Sequence, residues 1–457
     1  MNTKEATEKM RRYFETGITK EYEFRKAQLQ KLKATVQKYE GEIFEALHKD
    51  LRKSKEESYI SENGFVLSEA SASIKNLKGW MDLQKVETNW FNFPSKSFIM
   101  AEPLGVVLII SPWNYPFNLL FTPLIGAIAA GNCVVVKPSE MAPATTAITK
   151  KIIEETFDPQ YILFTEGDGA TVVPELMDNF VFDHVFYTGS TAVGKIIYEL
   201  AAKNLVPVTL ELGGKSPCII ESDADVKIAA KRITMTKFLN AGQTCVAPDY
   251  LLVHERVKEK LITAIIENIK RFFGDDAQKA DFYGRIINEK QFDRIEKYLP
   301  YGKILSGGKT DKKDLYIEPT LLQISDTNNT VMQEEIFGPV LPIISFTNME
   351  EAVNIIKQNK NPLAFYLFTS SKEKEINWLG AVAFGGGCIN NAALHLVNDK
   401  LPFGGRGASG MGSYHGKFTF DTFSHKKSVM KTPTWFDPSI KYPPFTNLLN
   451  LFKNVMK

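Results

Sequence analysis

The run Val106-Val107-Leu108-Ile109-Ile110, together with the uncharged stretch from Leu119 to Val136 that follows it, decides the predicted fold. The uncharged stretch is almost long enough for a membrane-spanning helix, which needs about 20 apolar residues. Pro123 and the Gly131-Asn132 break divide it, however, and leave a helix, a turn and the run Val134-Val135-Val136. The sequence therefore predicts two buried strands joined by a buried helix, and no membrane span.

This alternation of strands and helices continues along the chain. Strands are predicted at residues 106–110, 134–136, 161–164, 184–187 and 206–210, and helices at residues 119–130, 143–156, 171–177 and 193–203. Short apolar strands separated by helices are typical of a parallel sheet that is covered on both faces. A second alternating series runs from Cys218 to about Ile389. We therefore predict an α/β protein with two doubly wound parallel sheets.

The first hundred residues follow a different pattern. Apolar residues recur at spacings of three and four from Leu32 to Leu47, which predicts helices. Residues 89–93, the turn Pro94-Ser95-Lys96 and residues 97–100 then predict a β-hairpin with large apolar groups on both sides. Such a hairpin is not stable alone in water, so we expect it to leave its domain and pair with another chain.

Composition narrows the class of protein. Apolar residues make up 44% of the 457 residues and charged residues 24%, which is ordinary for a globular protein and excludes disorder, collagen and coiled coil. The formal net charge of +2 argues against general binding to a nucleic acid backbone. Four cysteines without a CxxC pair predict reduced thiols in the cytoplasm. Six scattered histidines without an HExxH motif predict no metal site.

A strand-to-helix turn at Gly189-Ser190-Thr191-Ala192-Val193-Gly194-Lys195 is the first candidate binding site. It differs from a nucleotide-hydrolase P-loop because Ile196 stands where a serine or threonine would bind magnesium. It also differs from GxGxxG, because the third residue is Thr191. Its backbone amides and helix N-terminus would still attract an anion, although a purely structural turn fits these residues equally well.

Two further segments carry groups suited to chemistry. Lys137-Pro138-Ser139-Glu140 follows a predicted strand, where ligands of doubly wound sheets bind, so it could hold a ribose; a solvated loop is the alternative. Cys245 lies in Asn240-Ala241-Gly242-Gln243-Thr244-Cys245-Val246, a polar setting in which a thiol can act as a nucleophile. Cys133 and Cys218 lie instead in apolar runs that are typical of inert buried thiols.

Taken together, these segments resemble the aldehyde dehydrogenase superfamily and, within it, the class 3 branch that acts on fatty and aromatic aldehydes. The motifs occur in family order from about residue 100 to 430. They are Pro112-Trp113-Asn114-Tyr115-Pro116, Lys137-Pro138-Ser139-Glu140, the turn over 189–194, Leu210-Glu211-Leu212-Gly213-Gly214-Lys215-Ser216-Pro217, Gly242-Gln243-Thr244-Cys245, Glu334-Glu335-Ile336-Phe337-Gly338-Pro339, Pro402-Phe403-Gly404-Gly405 and Gly412-Ser413-Tyr414-His415-Gly416-Lys417. Asn391 and the run Arg406-Gly407-Ala408-Ser409-Gly410 depart from the branch's commoner residues, which bears on dimer contacts and the substrate entrance.

The resemblance implies NAD(P)-dependent oxidation of aldehydes to carboxylic acids. The Cys245 thiolate would attack the carbonyl, and the Asn114 amide and the Cys245 backbone N–H would hold the oxyanion. Hydride transfer would leave a thioester on Cys245, and Glu211 would activate the water that hydrolyses it. A CoA-acylating dehydrogenase is the rival enzyme, although it needs no base such as Glu211. A P-loop-like nucleotide hydrolase and a catalytically silent homologue are two competing hypotheses from different classes.

The resemblance also implies where the dinucleotide binds. The residues it assigns to the cofactor are Trp113, Lys137, Glu140, Gly189, Ser190, Gly194, Glu335 and Phe337. Lys137 and Glu140 would hold the adenosine ribose, the glycine turn would face the pyrophosphate, and Glu335 would bond the nicotinamide ribose. Because Glu140 would repel a 2′-phosphate, we expect NAD to be preferred and NADP to be usable.

Domain boundaries follow from these assignments. Residues 1–84 and 103–209 are predicted to form a Rossmann-like NAD(P)-binding domain, and residues 210–400 the catalytic domain. Residues 85–102 and 401–430 would form a small β arm for oligomerisation, and residues 431–457 a tail with a short helix over 448–456. The arm is expected to add to the partner's sheet in a homodimer. The other predicted partner is a small-molecule aldehyde, with no nucleic acid and no metal.

Overall fold

A computed structural model describes residues 3–455 of the chain. The strands are β1 (Gln84–Val86), β2 (Lys96–Pro103), β3 (Val106–Ile110), β4 (Cys133–Lys137), β5 (Ile162–Phe164), β6 (His184–Thr188), β7 (Val208–Glu211), β8 (Pro217–Ile220), β9 (Tyr250–His254), β10 (Lys303–Ser306), β11 (Thr310–Asp311), β12 (Tyr316–Ile317), β13 (Thr320–Gln323), β14 (Val340–Phe346), β15 (Ala364–Phe368), β16 (Gly386–Ile389), β17 (Gly410–Met411) and β18 (Ser424–Lys431). The α-helices are α1 (Thr3–Glu15), α2 (Tyr22–Lys38), α3 (Glu40–Leu51), α4 (Lys55–Ser58), α5 (Gly64–Met81), α6 (Asn118–Ala130), α7 (Pro143–Thr156), α8 (Gly169–Asn179), α9 (Thr191–Ala202), α10 (Val226–Phe238), α11 (Lys258–Phe273), α12 (Glu289–Glu296), α13 (Thr330–Gln333), α14 (Met349–Lys357), α15 (Lys372–Ala381), α16 (Lys417–Thr422) and α17 (Leu449–Val455).

The first sheet has the strand order β17-β7-β6-β3-β4-β5. All neighbours in it run parallel except β17, which is antiparallel to β7. Every residue of β3 and β4 is buried, and since side chains alternate between the faces of a strand, both faces are covered. The five predicted strands and four predicted helices of this region are all present, with ends that differ by at most two residues.

The second sheet has the strand order β10-β13-β14-β9-β8-β15-β16. Its neighbours are parallel except for β10, which is antiparallel to β13. Residues 212–216 connect the two sheets, because Glu211 ends β7 in the first and Pro217 begins β8 in the second. The two parallel sheets confirm the predicted α/β fold class. The connection between them places Glu211 at the junction.

The small antiparallel sheet β1-β2-β18 corresponds to the predicted arm, but the predicted first strand of the hairpin is wrong. The aromatic segment 89–93 is not a strand; Trp90–Asn92 is a single 3-10 turn. The backbone N–H of Asn92 bonds the carbonyl of Asn89, and that of Phe93 bonds Trp90, so this segment closes on itself. The strand that precedes β2 along the chain and pairs with it is instead β1, Gln84–Val86.

The predicted arm segment 401–430 divides between two sheets. β17 pairs with β7 beside Glu211, and α16 packs against α6 of the first domain, so only β18 joins β2 in the arm. A Cβ atom at Gly126 of α6 would overlap the Thr419 side chain, which shows how closely α16 approaches. In the tail, α17 matches the predicted helix over 448–456 as far as residue 455, and Met456 lies outside the described residues. Within residues 3–455, no helix has both the length and the apolar character needed to cross a membrane.

Candidate active site

Cys245 is carried by a tight loop that follows α10. The turn Leu239–Gly242 comes directly after the helix, and Asn240 within it has a left-handed φ of 52°. Gly242 has a φ of 75°, and a Cβ atom there would overlap the carbonyl group of Gly338. A glycine is therefore required at this point for the chain to turn towards the thiol.

The buried side chain of Gln243 fixes this loop. Its Oε1 accepts a hydrogen bond from the backbone N–H of Ile287 at 3.0 Å. Its Nε2 donates to the carbonyls of Asn240 at 3.0 Å and Arg285 at 2.9 Å. Because all three bonds are buried, the backbone next to Cys245 is held in one conformation.

Two cavities meet at Cys245. The smaller, of about 300 Å³, has a mainly apolar wall that includes Phe65, Met235, Leu396 and Phe403. The larger has a volume of about 890 Å³ and a more polar wall. Both are lined by Leu119, Thr188, Glu211, Leu212 and Cys245. A small apolar molecule in one cavity and a larger polar one in the other would therefore meet at the thiol and at Glu211.

Asn114 lines the larger cavity together with Cys245. Its Nδ2 donates to the carbonyl of Gln243 at 3.0 Å. Its own backbone carbonyl accepts from Lys53 Nζ at 3.0 Å and from Asn240 Nδ2 at 2.8 Å. One N–H of the amide thus orients the side chain, and the second is left to bind an oxyanion.

Glu211 is the last residue of β7, and its side chain is buried. Neither of its carboxyl oxygens has a hydrogen-bond partner among the side chains and backbone of residues 3–455. Burial raises the pKa of Glu211 well above its usual value. A carboxyl with a raised pKa, no fixed partner and access to both cavities is suited to general base chemistry.

The surroundings of Cys245 favour the neutral thiol over the thiolate. Burial raises its pKa to about 12, and the nearby carboxyls of Glu335 and Glu211 add to the rise. The backbone N–H groups of Cys245 and Val246 oppose the rise, because they stabilise a thiolate. Attack by this sulfur therefore requires that its proton be removed as the reaction begins.

The glycine turn before α9 fits a phosphate group in the larger cavity. Gly189 has no room for a side chain, because a Cβ atom would overlap the Tyr187 hydroxyl, and Ser190 caps the helix with its side-chain oxygen. The turn brings backbone and the positive end of α9 to the cavity wall. Gly194 does not line the cavity; a Cβ atom there would press on Leu212 at 2.6 Å, so this glycine serves packing.

Glu335, Phe337 and Trp113 also line the larger cavity. The Glu335 carboxyl accepts a bond from the backbone of Gly214, and a Cβ atom at Gly213 would overlap it. Burial raises the pKa of Glu335 to about 8. The rings of Trp113 and Phe337 meet edge to face with centroids 5.3 Å apart. A carboxyl and two aromatic rings of this kind fit a ribose and the flat ring attached to it.

Lys137 and Glu140 lie at the carboxyl end of β4 but are not among the residues that line the larger cavity. Lys137 Nζ is buried and donates to Glu140 Oε2 at 2.7 Å and to the Pro138 carbonyl at 2.9 Å. Partial burial would raise the pKa of Glu140, but the bond and the charge of Lys137, together with bonds from the backbone of Glu140 and Gly169, outweigh it and keep that pKa below its usual value. The pair therefore presents a charged carboxylate at the sheet edge.

Two residues of the run that departs from the family pattern, Ala408 and Ser409, line the larger cavity. The Thr191 hydroxyl donates to the Ala408 carbonyl at 3.1 Å, and the Ser409 hydroxyl accepts from the Arg406 backbone at 2.9 Å. The departure at 406–410 thus touches the polar cavity rather than the apolar one. The Asn391 side-chain oxygen accepts a hydrogen bond from the backbone N–H of Ala392 at 3.0 Å.

Sequence reasoning misses the buried groups behind the site, chiefly Lys53, Glu62 and Gln243. Lys53 and Glu62 occur in a charged stretch, 49–62, that has the composition of a solvated surface, so no signal distinguishes them. Gln243 stands out only as a neighbour of Cys245 in its motif, which gives no sign of its bonds. The described residues contain no group of three or more side chains placed to hold a metal ion.

These features are typical of an enzyme, because a thiol and an unpartnered carboxyl lie where an apolar cavity and a more polar one meet. A sequence model of the aldehyde dehydrogenase family matches residues 1–429, and the chain belongs to that family. It is 47% identical to 4,4'-diaponeurosporen-aldehyde dehydrogenase of Staphylococcus aureus, covering 97% of both chains. It is 43% identical to human aldehyde dehydrogenase family 3 member B1, covering 95% of this chain and 93% of the relative. The predicted class 3 resemblance is confirmed, and the chain is an oxidoreductase that acts on aldehydes.

Solved structures agree with this assignment. The substrate-bound state of Staphylococcus aureus AldH is 46% identical, has a TM-score of 0.97 and covers 100% of both chains. Two more distant structures contain cofactors. GapN, a glyceraldehyde-3-phosphate dehydrogenase of Methanocaldococcus jannaschii, holds NADP (27% identity, TM-score 0.85, 94% of both chains). A betaine aldehyde dehydrogenase variant of Staphylococcus aureus holds NAD+ (29% identity, TM-score 0.82, 95% of this chain and 90% of that one).

Proposed function

We propose that this chain oxidises apolar aldehydes to carboxylic acids at Cys245, with Glu211 as general base and Asn114 as oxyanion donor. The observation that carries the proposal is the meeting of two cavities at one thiol and one unpartnered carboxyl. A P-loop hydrolase is not favoured, because nothing in the family comparison or at Ile196 supports magnesium binding. A CoA-acylating activity is not favoured either, because it has no use for Glu211.

The first half-reaction forms a bond between sulfur and carbon. Cys245 Sγ gives its proton to solvent water and attacks the aldehyde carbon, and the carbonyl oxygen becomes an oxyanion. The Asn114 amide and the Cys245 backbone N–H stabilise this charge, and they require no rearrangement because the loops are already fixed. NAD, when bound in the larger cavity, supplies the acceptor for the hydride that the adduct releases. The product of this half-reaction is a thioester on Cys245.

The second half-reaction releases the acid. Glu211 takes a proton from a water molecule, the water oxygen attacks the thioester carbon, and the carbon–sulfur bond breaks. The sulfur regains a proton, in keeping with the raised pKa of Cys245. Because Glu211 lines both cavities, it can reach a water on either side of the bound acyl group.

The Asn114→Ala variant is expected to lose about 10²–10³-fold in the rate of NADH formation, the usual cost of one oxyanion donor. The affinity for NAD should stay unchanged, because the amide acts on the developing oxyanion. Stopped-flow measurement of the first turnover, with NAD binding measured separately, checks both. An unaltered rate would show that the oxyanion is held elsewhere.

For the cofactor we propose a preference for NAD over NADP. The Glu140 carboxylate, kept charged by Lys137, would accept a bond from a 2′-hydroxyl and repel a 2′-phosphate. Glu140→Gln is expected to lower the ratio of kcat/KM for NAD to kcat/KM for NADP. The same measurement on Glu166→Gln, a surface carboxylate paired with Lys150, is the control. A native preference for NADP would mean that Lys137 outweighs Glu140.

The substrate class follows from the apolar wall of the smaller cavity. We infer aliphatic or aromatic aldehydes, and the staphylococcal relative at 47% identity is likewise named as an aldehyde dehydrogenase. A panel of aldehydes of increasing chain length and ring content, monitored at the NADH absorbance, tests the proposed function. Activity confined to small polar aldehydes would contradict it.

We also propose a cytoplasmic homodimer in which the arm pairs with the partner chain. Trp90 and Phe93 of the arm expose 67% and 70% of their surface, and Trp435 of the tail exposes 77%. Large exposed aromatic groups of this kind usually mark an interface. Sedimentation equilibrium should give twice the chain mass of 51.4 kDa, and Trp90→Ser with Phe93→Ser should weaken the association. A wild-type protein that sediments as a stable monomer would refute this arrangement.

A further inference from the structure

A buried ion pair lies behind the active site without touching either cavity. Lys53 Nζ and Glu62 Oε1 are 2.5 Å apart, and both side chains are 0% exposed. Neither residue lines the substrate or the cofactor cavity. A buried ion pair often adds little to the stability of a protein, because the free energy needed to remove both charges from water often exceeds their attraction. The contacts of the pair point to a different use.

The ion pair holds the loop between β3 and α6 at two points. Lys53 Nζ donates to the backbone carbonyl of Asn114 at 3.0 Å. Glu62 Oε2 accepts from the backbone N–H groups of Phe117 at 3.2 Å and Asn118 at 2.9 Å. Asn114, the proposed oxyanion donor, therefore lies in a loop that is clamped near its middle by the lysine and at its end by the glutamate.

The same carbonyl connects this loop to the one that carries Cys245. Asn240 Nδ2 donates to the Asn114 carbonyl at 2.8 Å and to the Gln243 carbonyl at 3.2 Å. The Asn240 backbone N–H in turn donates to Glu57 Oε1 at 2.8 Å. One network thus sets the distance between the oxyanion donor and the nucleophile.

We propose that Lys53 and Glu62 are positioning residues for the oxyanion site, acting through Asn114. The inference rests on the proposed function, in which the Asn114 amide stabilises the oxyanion. Displacement of a catalytic group by about 1 Å can cost about 10²-fold in rate. Loss of the clamp should therefore slow acylation without weakening cofactor binding, since neither residue lines the cofactor cavity.

The test removes both charges together, so that neither member of the pair stays buried without the other. In Lys53→Met with Glu62→Gln, the glutamine oxygen still accepts from Phe117 and Asn118, and the bond to the Asn114 carbonyl is lost. We expect the first-turnover rate of NADH formation to fall about 10–100-fold, with an unchanged dissociation constant for NAD. Lys374→Met with Glu221→Gln is the matched control. That pair is 2.8 Å apart in the second domain, and its loss should leave the rate within about twofold.

A double-mutant cycle with Asn114→Ala decides the mechanism. If the clamp acts through Asn114, the charge-free pair should cost almost nothing further once the amide is gone. An additive loss, or a rate loss matched by the control pair, would overturn the positioning role. If Asn114→Ala itself has no effect, the oxyanion assignment fails instead. Should the double variant not fold, the same cycle is run with Lys53→Met alone, which removes the bond to the Asn114 carbonyl, and an additive loss again refutes the proposal.

Discussion

Cys245→Ala is expected to abolish NADH formation, with a loss of at least about 10³-fold. The reason is that hydride can leave only from an adduct in which the aldehyde carbon is already bonded to sulfur. The affinity for NAD should be retained, because Cys245 is not one of the residues that we propose to bind NAD. Initial rates with a reactive aldehyde and a separate NAD-binding titration measure the two effects.

Cys388→Ala is the matched control for this variant. Cys388 is the other partly buried thiol of the described chain, and it contacts His395 rather than a cavity wall. Its loss should leave the rate within about twofold. Residual activity of Cys245→Ala above a few per cent of wild type would place the nucleophile elsewhere. A comparable loss in Cys388→Ala would point to that thiol.

Glu211→Gln is the second variant with a large expected effect. Its loss of activity should be confined to one half-reaction, the hydrolysis of the thioester. Glutamine keeps the volume of the side chain and one acceptor oxygen, but it cannot take a proton from water at neutral pH. Acylation should proceed and release a burst of NADH of about one equivalent per active site, after which turnover should nearly stop. Rapid-mixing absorbance measures the burst and the slow phase in one trace.

Three outcomes of this experiment separate three roles for Glu211. A burst followed by a stall supports the base that hydrolyses the thioester. The absence of any burst would mean that Glu211 acts before hydride transfer, for example by removing the Cys245 proton. Loss of both half-reactions together with a lowered melting temperature would mean that Glu211 only supports the turn at 212–216. A separate assay with added CoA tests the rival enzyme. If CoA restores turnover and water does not, the CoA-acylating activity is favoured.

The fold is predictable because strand and helix periods are encoded locally. The buried run of β3, and the helix and strand that follow it, are each recognisable from apolar residues and from the break at Gly131, whereas Pro123 lies inside α6 and does not divide it. The arm is harder to predict. The segment 89–93, which contains Trp90 and Phe93, has an aromatic composition that is typical of a strand. Hydrogen bonds within its backbone close it into a turn instead, and such bonds cannot be predicted from composition.

The site is predictable to the extent that motifs carry it. The structure brings Cys245, Glu211 and Asn114 to the same cavity. What the sequence could not show is the support behind them. Lys53 is separated from Asn114 by a long stretch of chain, and only the packing of the helical N-terminal layer against the sheet brings the two into contact. The raised pKa of Glu211 likewise depends on burial, which the motif alone does not reveal.

The covalent step on Cys245 is the central claim, and mass spectrometry of the trapped enzyme tests it most directly. Glu211→Gln would be mixed with NAD and an aldehyde of known mass, quenched in acid after the burst, and digested. We predict that the peptide containing Cys245 gains the mass of the acyl group, in an amount equal to the NADH released, while the peptide containing Cys388 is unchanged. NADH released with no acyl mass on Cys245, or with that mass on another residue, would contradict the mechanism.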